Sequence, residues 1–92
     1  MAVFAIIAQK NANAENLPSA IATQFPDDHL QLGNGVWLVA AKRTAKEVSD
    51  TLGVTDGSNG NAVIIEASTY YGRAGNNIWA WIKDKWEATI NG

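Results

Sequence analysis

Two segments of this chain are apolar on both sides of any strand they could form. Val3-Phe4-Ala5-Ile6-Ile7-Ala8 sets Phe4 and Ile6 against Val3 and Ile7. Val36-Trp37-Leu38-Val39-Ala40-Ala41 likewise sets Trp37 and Val39 against Val36 and Leu38. Successive side chains of a strand point to opposite faces. A sheet with one wet face therefore alternates apolar and polar residues, and neither segment does. Each large side chain left in water forfeits about 1.5 to 3 kcal/mol. A sheet built from these strands needs cover on both faces.

The remaining elements follow from local chemistry. Gln9 to Glu15 is polar and reads as a loop. Asn16 is placed to cap a helix whose second position is Pro18, where a missing N–H costs nothing. Leu17, Ala20, Ile21 and Phe25 share one face of that helix, and Pro26 ends it. His29-Leu30-Gln31-Leu32 alternates as a half-buried strand, and Gly33-Asn34-Gly35 suits a tight hairpin into Val36. Thr44-Ala45-Lys46-Glu47 is a capping box for a second helix. Its buried stripe is Ala45, Val48 and Leu52, and Gly53 is its C′ residue. Asp56 to Asn61 is turn chemistry throughout, leading into a strand over Ala62 to Ala67. Ser68 to Asn76 forms a loop, and Asn77 is placed to cap a last helix containing Ile78-Trp79-Ala80-Trp81-Ile82-Lys83-Asp84-Lys85-Trp86.

The order β-α-β-β-α-β-α predicts an α+β fold, a ferredoxin-like sandwich with a four-stranded antiparallel sheet and an additional C-terminal helix. Right-handed crossovers put the first and third strands in the middle. Two crossover helices shield one face of that sheet. The other falls to the third helix, a second subunit, or both. Ile78, Trp79, Ile82 and Trp86 cluster on one side of the third helix, with Trp81 on the flank. Such a stripe serves as core. Trp81, with Tyr70 or Tyr71, also has the residue types that dominate binding hot spots.

Size and charge narrow the function. Ninety-two residues make one domain, 1–92. The chain has no cysteine, which excludes disulfides, thiol catalysis and zinc-thiolate sites and suits a cytoplasmic location. Ala2 to Ala8 is the longest apolar run, far short of the ~20 residues that span a bilayer, and it lacks the basic leader of a signal peptide. A net charge of −2 gives no overall field attracting nucleic acid.

Gly35-Val36-Trp37-Leu38-Val39 running into Thr44-Ala45-Lys46-Glu47-Val48-Ser49-Asp50-Thr51-Leu52, with the opening Met1-Ala2-Val3-Phe4-Ala5-Ile6, resembles a known pattern. It is similar to small ferredoxin-like proteins related to the CRISPR spacer-acquisition nuclease, a group that includes an endoribonuclease antitoxin. The resemblance covers residues 1 to about 67. It implies a homodimer and a toxin–antitoxin, phage-defence or mobile-element setting. Nuclease-like members carry an aspartate at the end of the first strand, where this chain has Ala8-Gln9-Lys10. A glutamine lacks the negative charge that Mg²⁺ prefers.

No catalytic motif stands out. Asp27-Asp28-His29 has metal-ligand residue types, but adjacent residues of an extended segment diverge. The turn after Pro26 accounts for the aspartates and an edge strand for His29. Ser49-Asp50 and Ser68-Thr69 have only His29 to complete a triad. Glycines 53, 57, 60, 72 and 75 do not match a phosphate-loop spacing. Lys42, Arg43 and Lys46 form a small basic spot, either solvated surface or, with Lys10, a weak phosphate patch.

Tyr70-Tyr71-Gly72-Arg73 is the loop with most to offer. Arg73 suits a bidentate contact to a carboxylate or phosphate, and the tyrosines suit stacking or burial against a partner. A tight connection with the tyrosines on the sheet edge is the competing reading. The sequence is thus read as a non-enzymatic homodimeric module that binds a protein partner through Tyr70, Tyr71, Arg73 and Trp81, with no cofactor and no metal. The alternatives are a metal-dependent endoribonuclease or DNase, and a nucleic-acid binder that does not cleave.

Overall fold

A computed structural model describes residues 2–9, 16–33, 35–68 and 75–91, with side chains of the last helix described to Trp86. The elements are β1 (Ala2–Ala8), α1 (Leu17–Gln24), β2 (His29–Gly33), β3 (Val36–Ala41), α2 (Ala45–Leu52), β4 (Ala62–Glu66) and α3 (Asn76–Asn91). The sheet is antiparallel with strand order β2-β3-β1-β4, so β1 and β3 are central as the crossover rule requires. The fold is α+β and ferredoxin-like in arrangement.

Register assigns each side chain to a face. Phe4 pairs with Val39 and Ile6 with Trp37 and Ile64, and these lie on the face covered by α1 and α2. There they bury with Leu17, Ile21, Phe25, Val48 and Leu52 into a continuous core. Val3 pairs with Ala40 and Ala5 with Leu38, on the opposite face. Val3, Leu38 and Ala40 bury there with Ile82 of α3, and Ile78, Trp79, Trp81 and Trp86 pack around them.

The helix ends show which local signals act. In α2 the Thr44 hydroxyl accepts from the Glu47 N–H at 3.2 Å, and the Glu47 carboxylate accepts from the Thr44 N–H at 2.9 Å, which completes the capping box. Gly53 then takes a left-handed conformation at φ 72°. A Cβ there would meet Ser58 and Asn59 side-chain atoms at 2.7 and 2.6 Å, because the Asp56–Asn61 turn folds back onto the helix end. Asn59 donates to the Leu52 carbonyl at 2.7 Å, and the Ser58 N–H and hydroxyl hold the Asp56 carboxyl below its ordinary pKa.

Two expected caps are absent. Asn16 has helical backbone angles, φ −83° and ψ −18°, and makes no capping bond through its side chain. A helical rather than extended backbone points that side chain away from the N–H groups it would serve. Asn77 lies inside α3, which starts one residue earlier at Asn76. The β4 strand also closes at Glu66 rather than Ala67, although the Ala67 N–H still bonds the Val3 carbonyl at 2.8 Å.

Candidate interaction surface

The incomplete cover of the second sheet face creates the site. α3 packs on that face against β1 and β2, and its register neighbours Leu38 and Ala40 bring in β3. Its main contacts do not include β4. Val63 and Ile65 pair with Ile7 and Ala5, so they point to the same side as α3, and they stay 46% and 50% exposed. Ile7 and Ala5 beside them are half-buried. An apolar strip therefore runs along the edge of the face, on the side of the sheet that α3 packs against.

The backbone of β4 adds a second feature. The Ala67 N–H bonds to Val3 and the Gln9 N–H to Asn61, which assigns the odd-numbered positions of the strand to pairing with β1. Antiparallel geometry then turns the N–H and C=O groups of Ala62, Ile64 and Glu66 toward the outer edge. Among the described strands none pairs with that edge. Edges of this kind template pairing with another chain.

An ion pair ties α3 to the far side of the sheet. Lys85 Nζ lies 2.7 Å from Asp28 Oδ1, with the two side chains only 19% and 30% exposed. The bond to Asp28 raises the Lys85 pKa above its ordinary 10.5, with Asp84 and Asp27 adding to the field. Asp28 is itself held firmly. Its carbonyl accepts from the Ala40 N–H at 2.9 Å, and its N–H donates to the Phe25 carbonyl at 3.3 Å.

The other candidates do not converge on chemistry. Asp27 is exposed in the turn after Pro26, Asp28 is engaged with Lys85, and His29 Nδ1 donates to the Phe25 carbonyl at 2.6 Å. Ser49 Oγ shares a 2.7 Å hydrogen bond with Thr55 rather than with a histidine. The exposed Gln9 amide donates to the Ile7 carbonyl at 3.3 Å. Among the described residues no three His, Cys, Asp or Glu side chains group as a metal site. Arg43 bonds Thr51 at 2.7 Å and lies 5.6 Å over the Phe25 ring, and Lys46 pairs with Asp50, which accounts for two members of the basic spot. The groove beside them, lined by Arg43, Glu47, Asp50 and Thr51, is open and polar. No described helix is long and apolar enough to cross a membrane.

Of the residues assigned to partner binding, Trp81 is half-buried and packs against the second-face cluster. Tyr70, Tyr71 and Arg73 lie outside the described residues, as does Lys10. Comparison of the chain with known protein families, with curated proteins and with solved structures finds no match. Nothing in these comparisons links the chain to the CRISPR-associated or antitoxin proteins.

Sequence reasoning assigned no role to Lys85, Val63 or Ile65. A signal for Lys85 was present. It lies three residues after Ile82 and seven after Ile78, which brings a cation onto the edge of the sheet-facing stripe. A cation so placed calls for a fixed anion opposite.

Proposed function

We propose that the chain is a non-enzymatic, homodimeric interaction module that binds a protein partner. The observation that carries this reading is the half-exposed pair Val63 and Ile65 on an edge strand whose outer backbone groups are turned outward. A second copy satisfies both features at once. With a two-fold axis through Ile64, Val63 faces the second copy's Ile65 across an antiparallel pair. The charge of Glu66 then meets Ala62 rather than another carboxylate, so no like charges oppose. The contact is isologous and closes as a dimer instead of growing into a fibre.

The protein partner is assigned to Trp81 and to Tyr70, Tyr71 and Arg73, which follow β4 in sequence. Tryptophan, tyrosine and arginine contribute most to interface hot spots. Two copies joined at β4 present this set twice, and the mode of action is steric.

Sedimentation of the purified chain tests the dimer. The expected result is a dimer that Ile65→Glu converts to protomers with the far-ultraviolet circular dichroism unchanged. A wild-type chain that stays single at all accessible concentrations overturns it. Hydrolysis of labelled RNA or DNA with Mg²⁺ or Mn²⁺, abolished by Asp27→Asn, would replace the module with a nuclease.

A further inference from the structure

We propose that α3 is a releasable cover over the second sheet face, fastened by the ion pair between Lys85 and Asp28. Three observations carry the inference. Among the described residues, the core between the sheet and α1/α2 contains ten buried side chains, none of them from α3. Lifting α3 away leaves that core closed. Among the described side chains of α3, by contrast, only Ile82 is fully buried. Ile78, Trp79, Trp81 and Trp86 pack against the sheet while keeping part of their surface in water.

The third observation is the fastening itself. Lys85 reaches across 57 positions of sequence to Asp28, whose backbone is pinned to β3 through Ala40 and to the end of α1 through Phe25. His29 Nδ1 stiffens the same turn by donating to the Phe25 carbonyl. The anchor is thus rigid, and the lysine that grips it is carried by the one helix the main core does not need. A segment with few buried contacts opens locally at lower free energy than the whole fold. When α3 opens, Val3, Leu38 and Ala40 join Val63 and Ile65 in a single apolar face. The latch therefore sets how much of that face is presented. The opening occurs within one protomer, so it stands or fails separately from self-association through β4.

Native-state hydrogen exchange on the full chain tests this. The expected result for the wild type is that amides of residues 78–86 exchange through an opening that leaves β1 and β3 protected. Asp28→Asn and Lys85→Met should each speed that exchange, on the order of tenfold for a partly buried pair, with β1 and β3 unchanged. The double variant should be no faster than either single one, because both remove the same bond. Exchange of α3 in step with β1 and β3 in the wild type overturns the cover, and that result needs no variant to fold. Additive effects in the double variant, or no effect of either substitution on α3, overturn the latch.

Discussion

Among the described residues, one face of the sheet meets two helices and buries ten side chains in a continuous core; the other meets α3, buries four, and leaves Val63 and Ile65 half in water. The same two central strands supply both faces, and neighbours such as Val3 and Phe4 enter different interiors. Non-alternating strands state how much cover a sheet needs. They do not state what provides it, or how tightly. Here one face is sealed by connections that the topology imposes, and among the described residues the other is covered in part by α3.

The largest expected effect tests that asymmetry directly. Phe4→Ala should cost about 3 to 5 kcal/mol in denaturant unfolding, because Phe4 is fully buried in the sealed core. Ile82→Ala should cost about 2 kcal/mol, the low end of such truncations, since partly exposed neighbours can settle into the space. Its distinct signature is a red shift of tryptophan emission with strand circular dichroism retained. Equal costs for the two substitutions, lost in one cooperative step, would erase the distinction between the faces.

Much of the sealed side was legible in the sequence, and the reason is physical. The capping box at Thr44, the left-handed Gly53 and the apolar stripe of Ala45, Val48 and Leu52 are local features whose geometry needs no distant partner. The central placement of β1 and β3 follows from crossover handedness. The open side was read only as a need for cover. How far α3 extends over β4 depends on tertiary packing, so the exposure of Val63 and Ile65 has no sequence signature. The Lys85–Asp28 pair joins residues 57 apart, and only the position of a lysine beside a tryptophan stripe hinted at it. Asn16 and Asn77 failed as caps because their backbones are already helical, which residue type alone does not reveal.

A smaller effect is expected at the start of α2. Thr44→Ala removes one half of the capping box and should cost about 1 kcal/mol. Because α2 belongs to the sealed face, the loss should appear in global unfolding and leave the exchange of α3 relative to the sheet unaltered. Selective loosening of α3 would mean that the two faces are coupled.

The two ion pairs sharpen the contrast further. Lys46 and Asp50 pair at 2.9 Å on the surface of α2, with side chains 81% and 42% exposed, and such pairs contribute little. Lys85 and Asp28 pair in a partly dry setting. Since the folded pKa of Lys85 is raised above 10.5, its contribution is fully present below that pH and lost as pH rises through the folded value. Tryptophan emission should shift toward that of the released helix as pH climbs above 10.5. Free tyrosine titrates at about pH 10, so the shift is read as the difference between wild type and Lys85→Met, in which any such background cancels. A difference that stays constant through the alkaline range would mean that Lys85 does not hold α3.

The smallest expected effect on folding falls on the open strip. Ile65 is 50% exposed, so Ile65→Thr keeps a β-branched residue in the strand and removes little buried area. Protomer stability should change by no more than about 0.5 kcal/mol. Association should respond very differently, because in the proposed pairing Ile65 faces the second copy's Val63 on both sides of the two-fold, and each substitution is felt twice. Unfolding measured where the chain is fully dissociated, set beside sedimentation at higher concentration, separates the two quantities. A large loss of protomer stability would show that Ile65 is core, and the open side of the sheet would then be closed after all. Unchanged stability with unchanged association would leave β4 exposed without a use, and the dimer would have to be sought on another surface.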